Sequence, residues 1–411
     1  MRAVEKYLSK FPESLIHSRP SSNLGIVVTI PAFNEAETIK SIDSLLACDL
    51  PQSDVEILVN VNFSELASEG EKEFNKMSFH LLKHYAEKKS TDKIKIHVLY
   101  FPNQKKKVAG VGWARKQIMD EAFRRFMSID NNNGIITGFD ADATCQSNYL
   151  TELENFFACK PQANACSIYF EHDIEGTKYS EGIYNAIILY ELHLRYFINA
   201  QKLIGVNFAY QTVGSSFAVK ATAYARVNGM SPKKAGEDFY FLHKTMALDG
   251  FYTLNTTCIY PSSRISNRVG FGTGPSVGEI SKTGKKKTYA YRSFLEIKKI
   301  YDALPQIYKQ NLSVEKWSLD PVLLEYLQKQ NTNQVVQNLI QNNKSYTSFK
   351  LAFMQWLGGF QILKILNILR ETEYFKDIDI IQAVNQLNIV KQQTDAKKIL
   401  AELRQFDRNN V

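Results

Sequence analysis

The sequence predicts an α/β fold, in which a mostly parallel central sheet is flanked by helices and followed by a helical C-terminal region. Short β-branched apolar segments alternate with segments of helical periodicity up to Asp140. This alternation is typical of a parallel sheet covered on both faces. From Tyr291 onward, Leu, Ile, Gln, Lys and Glu recur with helical spacing, which indicates a separate helical region.

Strands and helices can be assigned in chain order from these patterns. The predicted strands of the N-terminal part are residues 24–30, 55–61, 93–100 and 134–140. The predicted helices between them are residues 36–47, 64–89 and 113–127. Ligands of parallel sheets bind beyond the carboxyl ends of the strands. The segments expected to converge there are residues 31–35, 60–64, 103–115 and 140–142.

Composition divides the chain into three parts. An N-terminal extension (1–22) precedes a main α/β domain (23–287), and a helical region (288–411) follows. Within the main domain, residues 261–287 are rich in Gly, Ser, Pro and basic residues. They predict a long flexible loop, and loops of that length are often functional.

The overall composition narrows the class of protein. Of 411 residues, 44% are hydrophobic and 22% are charged, which excludes a disordered chain or a coiled coil. The net charge of +8 suits an acidic ligand, nucleic acid or an anionic membrane surface, and it is equally typical of ordinary solubility charge. The 5 cysteines, without a Cys-x-x-Cys spacing, argue against a disulfide framework or a zinc site and favour a reducing cytoplasm.

Hydropathy predicts neither a signal peptide nor a membrane-spanning helix. The N-terminus lacks an unbroken apolar run, and no stretch reaches about 18 uncharged apolar residues. The nearest candidate, Leu351 to Leu369, is interrupted by polar residues and predicts a buried or interfacial helix. Peripheral membrane contact through the C-terminal helices is therefore an alternative to packing in a core, which is the more common role of such helices.

Two carboxylates stand one residue apart directly after the fourth predicted strand, at Asp140 and Asp142. Both can approach one hard cation, and oxygen ligands suit Mg²⁺ or Mn²⁺, which bridge phosphate oxygens. The alternative is that these aspartates cap the next helix or solvate a turn. Their position at the end of a buried strand favours the metal site.

A second acidic pair, Glu237 and Asp238, precedes an apolar helical run that starts at Phe239. A carboxylate here could act as a general base that takes the proton from an acceptor hydroxyl. We assign that role to Asp238 and expect Glu237 to orient the acceptor or a loop. The structural alternative is that the helix dipole alone favours acids at a helix start.

Basic residues close to glycines are candidates for binding phosphate. Arg115 follows the glycine-containing loop 104–112 and lies one turn into a predicted helix, whose N-terminus favours an anion. Arg264 and Arg268 precede a glycine-rich stretch and suit a mobile lid over a diphosphate. The alternatives are a solvated loop for the first segment and a basic linker for the second.

These motifs resemble those of family 2 glycosyltransferases, which have the GT-A fold, over residues 24–275. The four matching segments are Thr29-Ile-Pro-Ala-Phe-Asn-Glu35, Gly112-Trp-Ala-Arg115, Asp140-Ala-Asp142 and Glu237-Asp238. The resemblance implies a GT-A nucleotide-diphospho-sugar transferase that uses a divalent cation and usually inverts the anomeric carbon. It also implies a sugar, lipid-linked or other hydroxyl acceptor, in polysaccharide or glycolipid biosynthesis, and no nucleic acid partner.

The resemblance also implies roles for individual residues. The residues implied to line the nucleotide site are Pro31, Ala32, Phe33 and Glu35. Asp142 is the implied main metal ligand, Asp140 would face the ribose or sugar, and Asp238 would be the base.

The chain departs from the family pattern in two places. Where the family commonly has an Asp-Asp-Gly-Ser-like turn, this chain has Asn60 and Asn62, which predicts a changed nucleobase contact because an amide can donate as well as accept. The Gln-x-x-Arg-Trp pattern of processive members is absent. A synthase that extrudes polymer is therefore not expected.

Two other functions stay open. A sugar nucleotidyltransferase also uses an α/β domain, a cation and basic loops, and it would release pyrophosphate from a nucleoside triphosphate. A catalytically inactive nucleotide-sugar-binding protein would keep Asp142 and show no turnover, although retention of both acidic pairs argues against it. Whichever function applies, we expect a cytoplasmic protein, with peripheral attachment to the inner face of a membrane as the alternative.

Overall fold

The computed structural model describes residues 2–11, 13–234, 236–266, 268, 270 and 272–410. These residues form two compact units. The first unit contains residues 2–176 and 210–275, and the second contains residues 177–209 and 276–410. This division differs from the predicted boundary at residues 287 and 288, because residues 177–209 group with the C-terminal helices. All the candidate site residues lie in the first unit.

An eight-stranded sheet forms the centre of the first unit. Its strands are β1 (Leu24–Ala32), β2 (Asp54–Ser64), β3 (Ile94–Gln104), β4 (Ile135–Gly138), β5 (Thr144–Cys145), β6 (Ala165–Phe170), β7 (Phe217–Lys220) and β8 (Phe251–Tyr260). The order across the sheet is β3-β2-β1-β4-β7-β6-β8-β5. Strands β5 and β7 run antiparallel to their neighbours, and the remaining pairings are parallel. The prediction of a mostly parallel central sheet is confirmed.

Helices of the same unit flank this sheet, as predicted. They are α1 (Arg2–Leu8), α2 (Thr38–Leu46), α3 (Glu69–Lys89), α4 (Val111–Met127), α5 (Tyr149–Cys159), α7 (Ala221–Arg226) and α8 (Glu237–Met246). Helix α6 (Glu181–Leu203) belongs to the second unit. Helix α4 lies against β1 and β2, and α3 lies against β2 and β3. The predicted elements of the N-terminal part are confirmed, with ends that differ by a few residues.

The core of the first unit lies between the central strands and α4. Ile26, Val28 and Ile30 of β1 are fully buried, as expected for a β-branched strand inside a parallel sheet. Phe123 and Phe126 of α4 are fully buried too, and their i, i+3 spacing places them on one face of the helix. This packing fixes the strands and therefore positions the residues that follow their carboxyl ends.

Helices dominate the second unit. Beside α6, its elements are α9 (Thr273–Thr283), α10 (Tyr291–Gln310), a 3₁₀ turn (Val314–Lys316), α11 (Pro321–Lys329), α12 (Thr332–Asn342), α13 (Tyr346–Trp356), α14 (Gly359–Leu369), α15 (Ile380–Gln386), α16 (Ala396–Asn409), and the antiparallel strands β9 (Lys287–Thr288) and β10 (Ile378–Asp379). Helix α6 packs with α15 and α16. Its buried Glu191 accepts hydrogen bonds from Arg195 and from Arg404 of α16. The predicted helical C-terminal region is confirmed.

Part of the loop predicted over residues 261–287 is helical. Helix α9 occupies residues 273–283, and its Val277 and Ile280 are buried three residues apart. The predicted flexible loop is helical over these residues because Pro275 lies in the first helical turn, where proline is tolerated, and the apolar pair forms a buried face. Residues 267, 269 and 271 of that predicted loop lie outside the described residues.

Within the described part of the chain, no single helix is long and apolar enough to cross a membrane. Helices α13 and α14 meet that criterion only when taken together, and they are bent by 60°. The single helix predicted from Leu351 to Leu369 is therefore wrong. The chain breaks it at Gly358, which is extended with φ −64° and ψ −176°, because glycine is poorly suited to a helix interior.

Candidate active site

The predicted site segments meet at one edge of the sheet in the first unit. Glu35 comes three residues after β1 ends, and Asp140 comes two residues after the end of β4. Strands β1 and β4 are parallel neighbours, so their carboxyl ends open on the same edge. The side chains that ion pairs join there are Glu35, Arg115, Asp140, Asp142, Glu237, Arg264 and Arg268.

Residues 140–142 form a tight turn, which we call the acidic turn. The Ala143 N–H closes it by donating to the Asp140 carbonyl oxygen over 3.1 Å. Ala141 and Ala143 are buried, whereas the side chains of Asp140 and Asp142 are 36% and 18% exposed. The two alanines therefore face the core, and the two carboxylates face the edge of the sheet.

Arg115 of α4 is the buried centre of the site. Only 2% of its side chain is exposed. Its Nη2 donates to Asp140 Oδ1 over 2.8 Å, and its Nε donates to Glu237 Oε1 over 3.3 Å. Its Nη1 donates to the Gly214 carbonyl oxygen over 2.9 Å. One guanidinium thus joins the two acidic motifs, while its predicted contact with a donor phosphate remains a prediction.

Glu237 and Asp238 are the first two residues of α8. Gly236 precedes them in the left-handed region with φ 67°, which glycine adopts without strain. Glu237 is buried, and Asp238 Oδ1 accepts the Phe239 N–H over 2.7 Å. The helix dipole favours both carboxylates at this position. This position is compatible with a chemical role as well, because the same helix start brings Glu237 to Arg115 with Asp238 next to it in the chain.

The approach of α8 to α4 depends on Gly112. A methyl group built on Gly112 would lie 2.0 Å from the Lys233 carbonyl oxygen and 2.9 Å from Glu237 Cβ. Any side chain there would push the start of α8 away from Arg115. The sequence assigned this glycine to an anion-binding loop, and the structure adds a packing reason for it.

Gly214 is a site residue that the sequence prediction missed. Its carbonyl oxygen accepts from Arg115, and a methyl group built on it would lie 2.9 Å from Arg115 Nη2 and 3.1 Å from Asp238 Oδ2. The one signal in the sequence is the run of small residues, Gly214 to Ser216, directly before the buried strand β7. That signal does not indicate which distant side chains the glycine meets.

Arg264 and Arg268, which we call the arginine pair, lie against the acidic turn. Arg264 Nε donates to Asp142 Oδ2 over 2.9 Å, and its Nη2 contacts Glu35 Oε2. Arg268 Nη1 lies 3.1 Å from the same Glu35 oxygen and donates to the Phe33 carbonyl oxygen over 2.8 Å. Two guanidinium groups thus neutralise Asp142 and Glu35.

The surroundings of Asp238 shift its titration. Burial and the negative charge of Glu237 raise the pKa of Asp238 to about 7, although Arg115 opposes the shift. A carboxyl group that titrates near neutrality is suited to take a proton from a substrate hydroxyl.

The acidic turn is the candidate cation site. Burial, with Asp140 and Glu35 nearby, raises the pKa of Asp142 to about 6 although Arg264 opposes the shift. Among the residues that the structure describes, no three His, Cys, Asp or Glu side chains are arranged to hold a metal ion by themselves. The two aspartate carboxylates of the acidic turn fit Mg²⁺ or Mn²⁺ only when phosphate or water supplies the remaining ligands.

Of the residues predicted to contact the nucleotide at the ends of β1 and β2, Glu35 takes part in the ion pairs, and the others lie outside them. Pro31 pairs with Asn60 in the sheet. Asn60 is fully buried, and its Nδ2 donates to the Ala114 carbonyl oxygen over 2.9 Å. Asn62 Nδ2 donates to the Asn60 carbonyl oxygen over 3.3 Å, so both amides brace the strand ends and the start of α4. The nucleotide contacts that remain predictions are those of Pro31, Ala32, Phe33, Asn60 and Asn62.

Comparison with known proteins gives similarity in structure alone. No protein-family model matches the chain, and no curated protein sequence matches it. The S. aureus TarS 1–349 structure in complex with UDP-GlcNAc has a TM-score of 0.41 at 12% identity, over 94% of this chain and 90% of that chain. The mannosyltransferase PcManGT of Pyrobaculum calidifontis, in complex with GDP-Man and Mn²⁺, has a TM-score of 0.37 at 11% identity, over 100% and 95% of the two chains. Similarity of this degree carries no information about this chain's substrates.

Proposed function

We propose that this chain is a metal-dependent glycosyltransferase of the family 2 type with a GT-A fold. It transfers a sugar from a nucleotide-diphosphate donor to the hydroxyl of a sugar, a lipid-linked molecule or another acceptor. The observation that carries the proposal is that buried Arg115 binds Asp140 of the acidic turn and Glu237 beside Asp238. Asp140, a candidate donor ligand, and Asp238, the candidate base, are therefore close enough to act on one substrate.

Asp238 is the general base of the proposed reaction. With a pKa of about 7, it is substantially ionised at neutral pH and takes the proton of the acceptor hydroxyl. The acceptor oxygen bonds to the anomeric carbon while the bond from that carbon to the diphosphate oxygen breaks, so the configuration inverts. Glu237, held by Arg115, is a positioning residue for the start of α8.

The arginine pair stabilises the charge that grows on the departing diphosphate. Arg264 and Arg268 are each 29% exposed, so their guanidinium groups can exchange Glu35 and Asp142 for phosphate oxygens at the sheet edge. A divalent cation held by Asp142 and Asp140 would stabilise the same charge as a Lewis acid. The proposal is compatible with the UDP-GlcNAc and GDP-Man complexes of the two solved structures but does not rest on them.

A ligand screen followed by a product assay tests the proposal. Melting points are measured with UDP-, GDP- and dTDP-sugars, each with and without Mn²⁺, because a ligand of the folded state raises the melting point. We expect one nucleotide class to stabilise the protein, and to do so more strongly with Mn²⁺. Stabilisation by a nucleoside triphosphate with release of pyrophosphate would instead identify a nucleotidyltransferase, and binding without turnover on any acceptor would identify a binding protein.

A further inference from the structure

Two cysteine sulfurs lie in contact beside the acidic turn. Cys48 follows the end of α2, Cys145 ends β5, and their Sγ atoms are 3.6 Å apart. All five cysteines lie within the described part of the chain, and each is a thiol. Cys48 is 6% exposed and Cys145 is partly exposed. Cys145 is therefore the more exposed member of the pair.

Hydrogen bonds hold these two thiols next to each other. Cys48 Sγ donates to the Ser44 carbonyl oxygen over 3.3 Å, and Cys145 Sγ lies 3.8 Å from the same oxygen. The Asp49 N–H donates to the Ser147 carbonyl oxygen over 2.8 Å, which ties the end of α2 to the residues after β5. The hydrogen bond from Cys145 lowers the pKa of the Cys48 thiol, against the effect of burial, so Cys48 is the better nucleophile.

The thiol pair is connected through the chain to the acidic turn, and through the sheet to the segment that carries the arginine pair. Cys145 comes three residues after Asp142. Strand β5 pairs with the end of β8, where Thr144 lies opposite Tyr260 and Cys145 opposite Ile259. Arg264 follows that end of β8 by four residues. We therefore expect a change of geometry at the two thiols to move the acidic turn and the residues that lead to Arg264.

We propose that Cys48 and Cys145 form a peroxide-sensitive dithiol that closes to a disulfide. The Cys48 sulfur attacks one oxygen of a peroxide, the O–O bond breaks, and a sulfenic acid and water form when the peroxide is H₂O₂. The Cys145 sulfur then attacks the Cys48 sulfur, the S–O bond breaks, and a second water leaves with the thiol proton. Two thiols and one H₂O₂ give one disulfide and two waters, so the sulfurs lose two electrons and the peroxide gains two.

Closing the bond alters the site, a consequence that rests on the proposed function. A disulfide is about 2.05 Å long, so the two sulfurs must approach by about 1.5 Å from 3.6 Å. Displacements of about 1 Å in supporting residues can lower a catalytic rate on the order of 100-fold. We expect oxidation to lower sugar transfer by about 10- to 100-fold, and a thiol reductant to restore it.

Peptide mapping after H₂O₂ treatment tests the dithiol independently of any activity. Remaining thiols are alkylated and the unreduced protein is digested. We expect a peptide joining Cys48 to Cys145, together with a loss of two hydrogen masses from the intact protein. Exposed Cys159 is the internal reference. The inference is overturned when Cys159 is already oxidised while Cys48 and Cys145 are both recovered alkylated and unlinked.

Variants separate the two parts of the inference. Cys145→Ser should lose the cross-link and keep its transfer activity in H₂O₂, whereas Cys159→Ser should behave as the wild type in both assays. Because the mapping is done on the wild-type protein, it remains decisive when a variant folds poorly. A cross-link without a change in transfer would refute the control of the site while leaving the dithiol in place. Absence of transfer in the reduced protein would count against the proposed function instead.

Discussion

The arginines on the two sides of the site differ in burial and in the elements that carry them. Arg115 is 2% exposed and lies within α4, where Gly112 allows the close approach of α8 and the Gly214 carbonyl oxygen accepts from the guanidinium. Arg264 and Arg268 are each 29% exposed and follow the end of β8. The first guanidinium is fixed inside the protein, and the other two lie at the surface of the sheet edge.

The buried and the partly exposed ion pairs of the site therefore have different roles. A buried charge that loses its partner is strongly destabilising, so Arg115 fixes the relative positions of Asp140 and Glu237. A partly exposed pair contributes little to stability, so Arg264 can change partners at small cost. We therefore assign Arg115 to the framework of the site and the arginine pair to the exchange between carboxylates and donor phosphates.

The largest effect is expected at Asp238, the proposed base, which is next to the Arg115 partner Glu237 in the chain. Asp238→Asn should lower the transfer rate by about 100- to 10,000-fold, because the amide cannot accept the hydroxyl proton. The donor affinity should change little, as measured by calorimetry with the stabilising nucleotide sugar. Asp92→Asn, at a fully exposed acid, is the matched control. Transfer at the wild-type rate in Asp238→Asn would show that the base assignment is wrong.

Removing the buried charge of Arg115 should have the largest effect on stability. Arg115→Met should lower the free energy of unfolding by about 3–5 kcal/mol, because Asp140 and Glu237 lose their shared cation. Arg264→Gln should lower it by less than about 1 kcal/mol, because the Arg264 side chain is partly exposed and Arg268 still contacts both acids. Urea denaturation measures both. Equal losses would remove the distinction between the two sides.

Removing Arg264 should change the affinities for the nucleotide-sugar donor and for Mn²⁺ in opposite directions. Arg264→Gln should weaken binding of the nucleotide-sugar donor by about 10- to 100-fold, through the loss of a charged hydrogen bond. The same variant should bind Mn²⁺ alone more tightly, because Arg264 no longer competes for Asp142. Calorimetric titrations measure both, and Arg226→Gln, at an exposed arginine of α7, is the control. An unchanged Mn²⁺ affinity would contradict exchange at Asp142.

A side chain at Gly112 should destabilise the packing of α4 against the start of α8 without removing any charge. Gly112→Ala should lower the free energy of unfolding by about 1–3 kcal/mol, since the added methyl meets the Lys233 carbonyl oxygen. Gly70→Ala is the matched control, because a methyl there meets no atom within 4 Å, and alanine is favoured over glycine in a helix by about 1 kcal/mol. Thermal denaturation should separate the two variants in opposite directions, and a neutral Gly112→Ala would argue against the tight α4–α8 approach.

The smallest effect concerns pH. Asp238 must be ionised to accept a proton, so its raised pKa moves the acid limb of kcat/KM to about pH 7 from the ordinary carboxyl range near about 4. The value of kcat/KM should fall about tenfold per pH unit below that point. A pH profile of the free enzyme that stays flat down to about pH 5 would place the base elsewhere.

Sequence patterns predicted the sheet and the position of the acidic turn, because burial and periodicity are local and parallel strands open on one edge. They did not predict which arginine meets which acid. The contact between Arg115 and Glu237 joins segments on different helices, and Gly214 became visible only through the atoms it touches. The helix at residues 273–283 was hidden because Gly and Pro are loop signals, although Val277 and Ile280 form its buried face.

A structure with Mn²⁺ and the stabilising nucleotide sugar, with the metal located by anomalous scattering, tests the central claim most directly. The account predicts Mn²⁺ on Asp142 between the protein and the diphosphate, with Arg264 moved from Asp142 to a phosphate oxygen and Arg115 still bound to Asp140 and Glu237. Arg264 remaining on Asp142, with the metal bound away from the acidic turn, would contradict it.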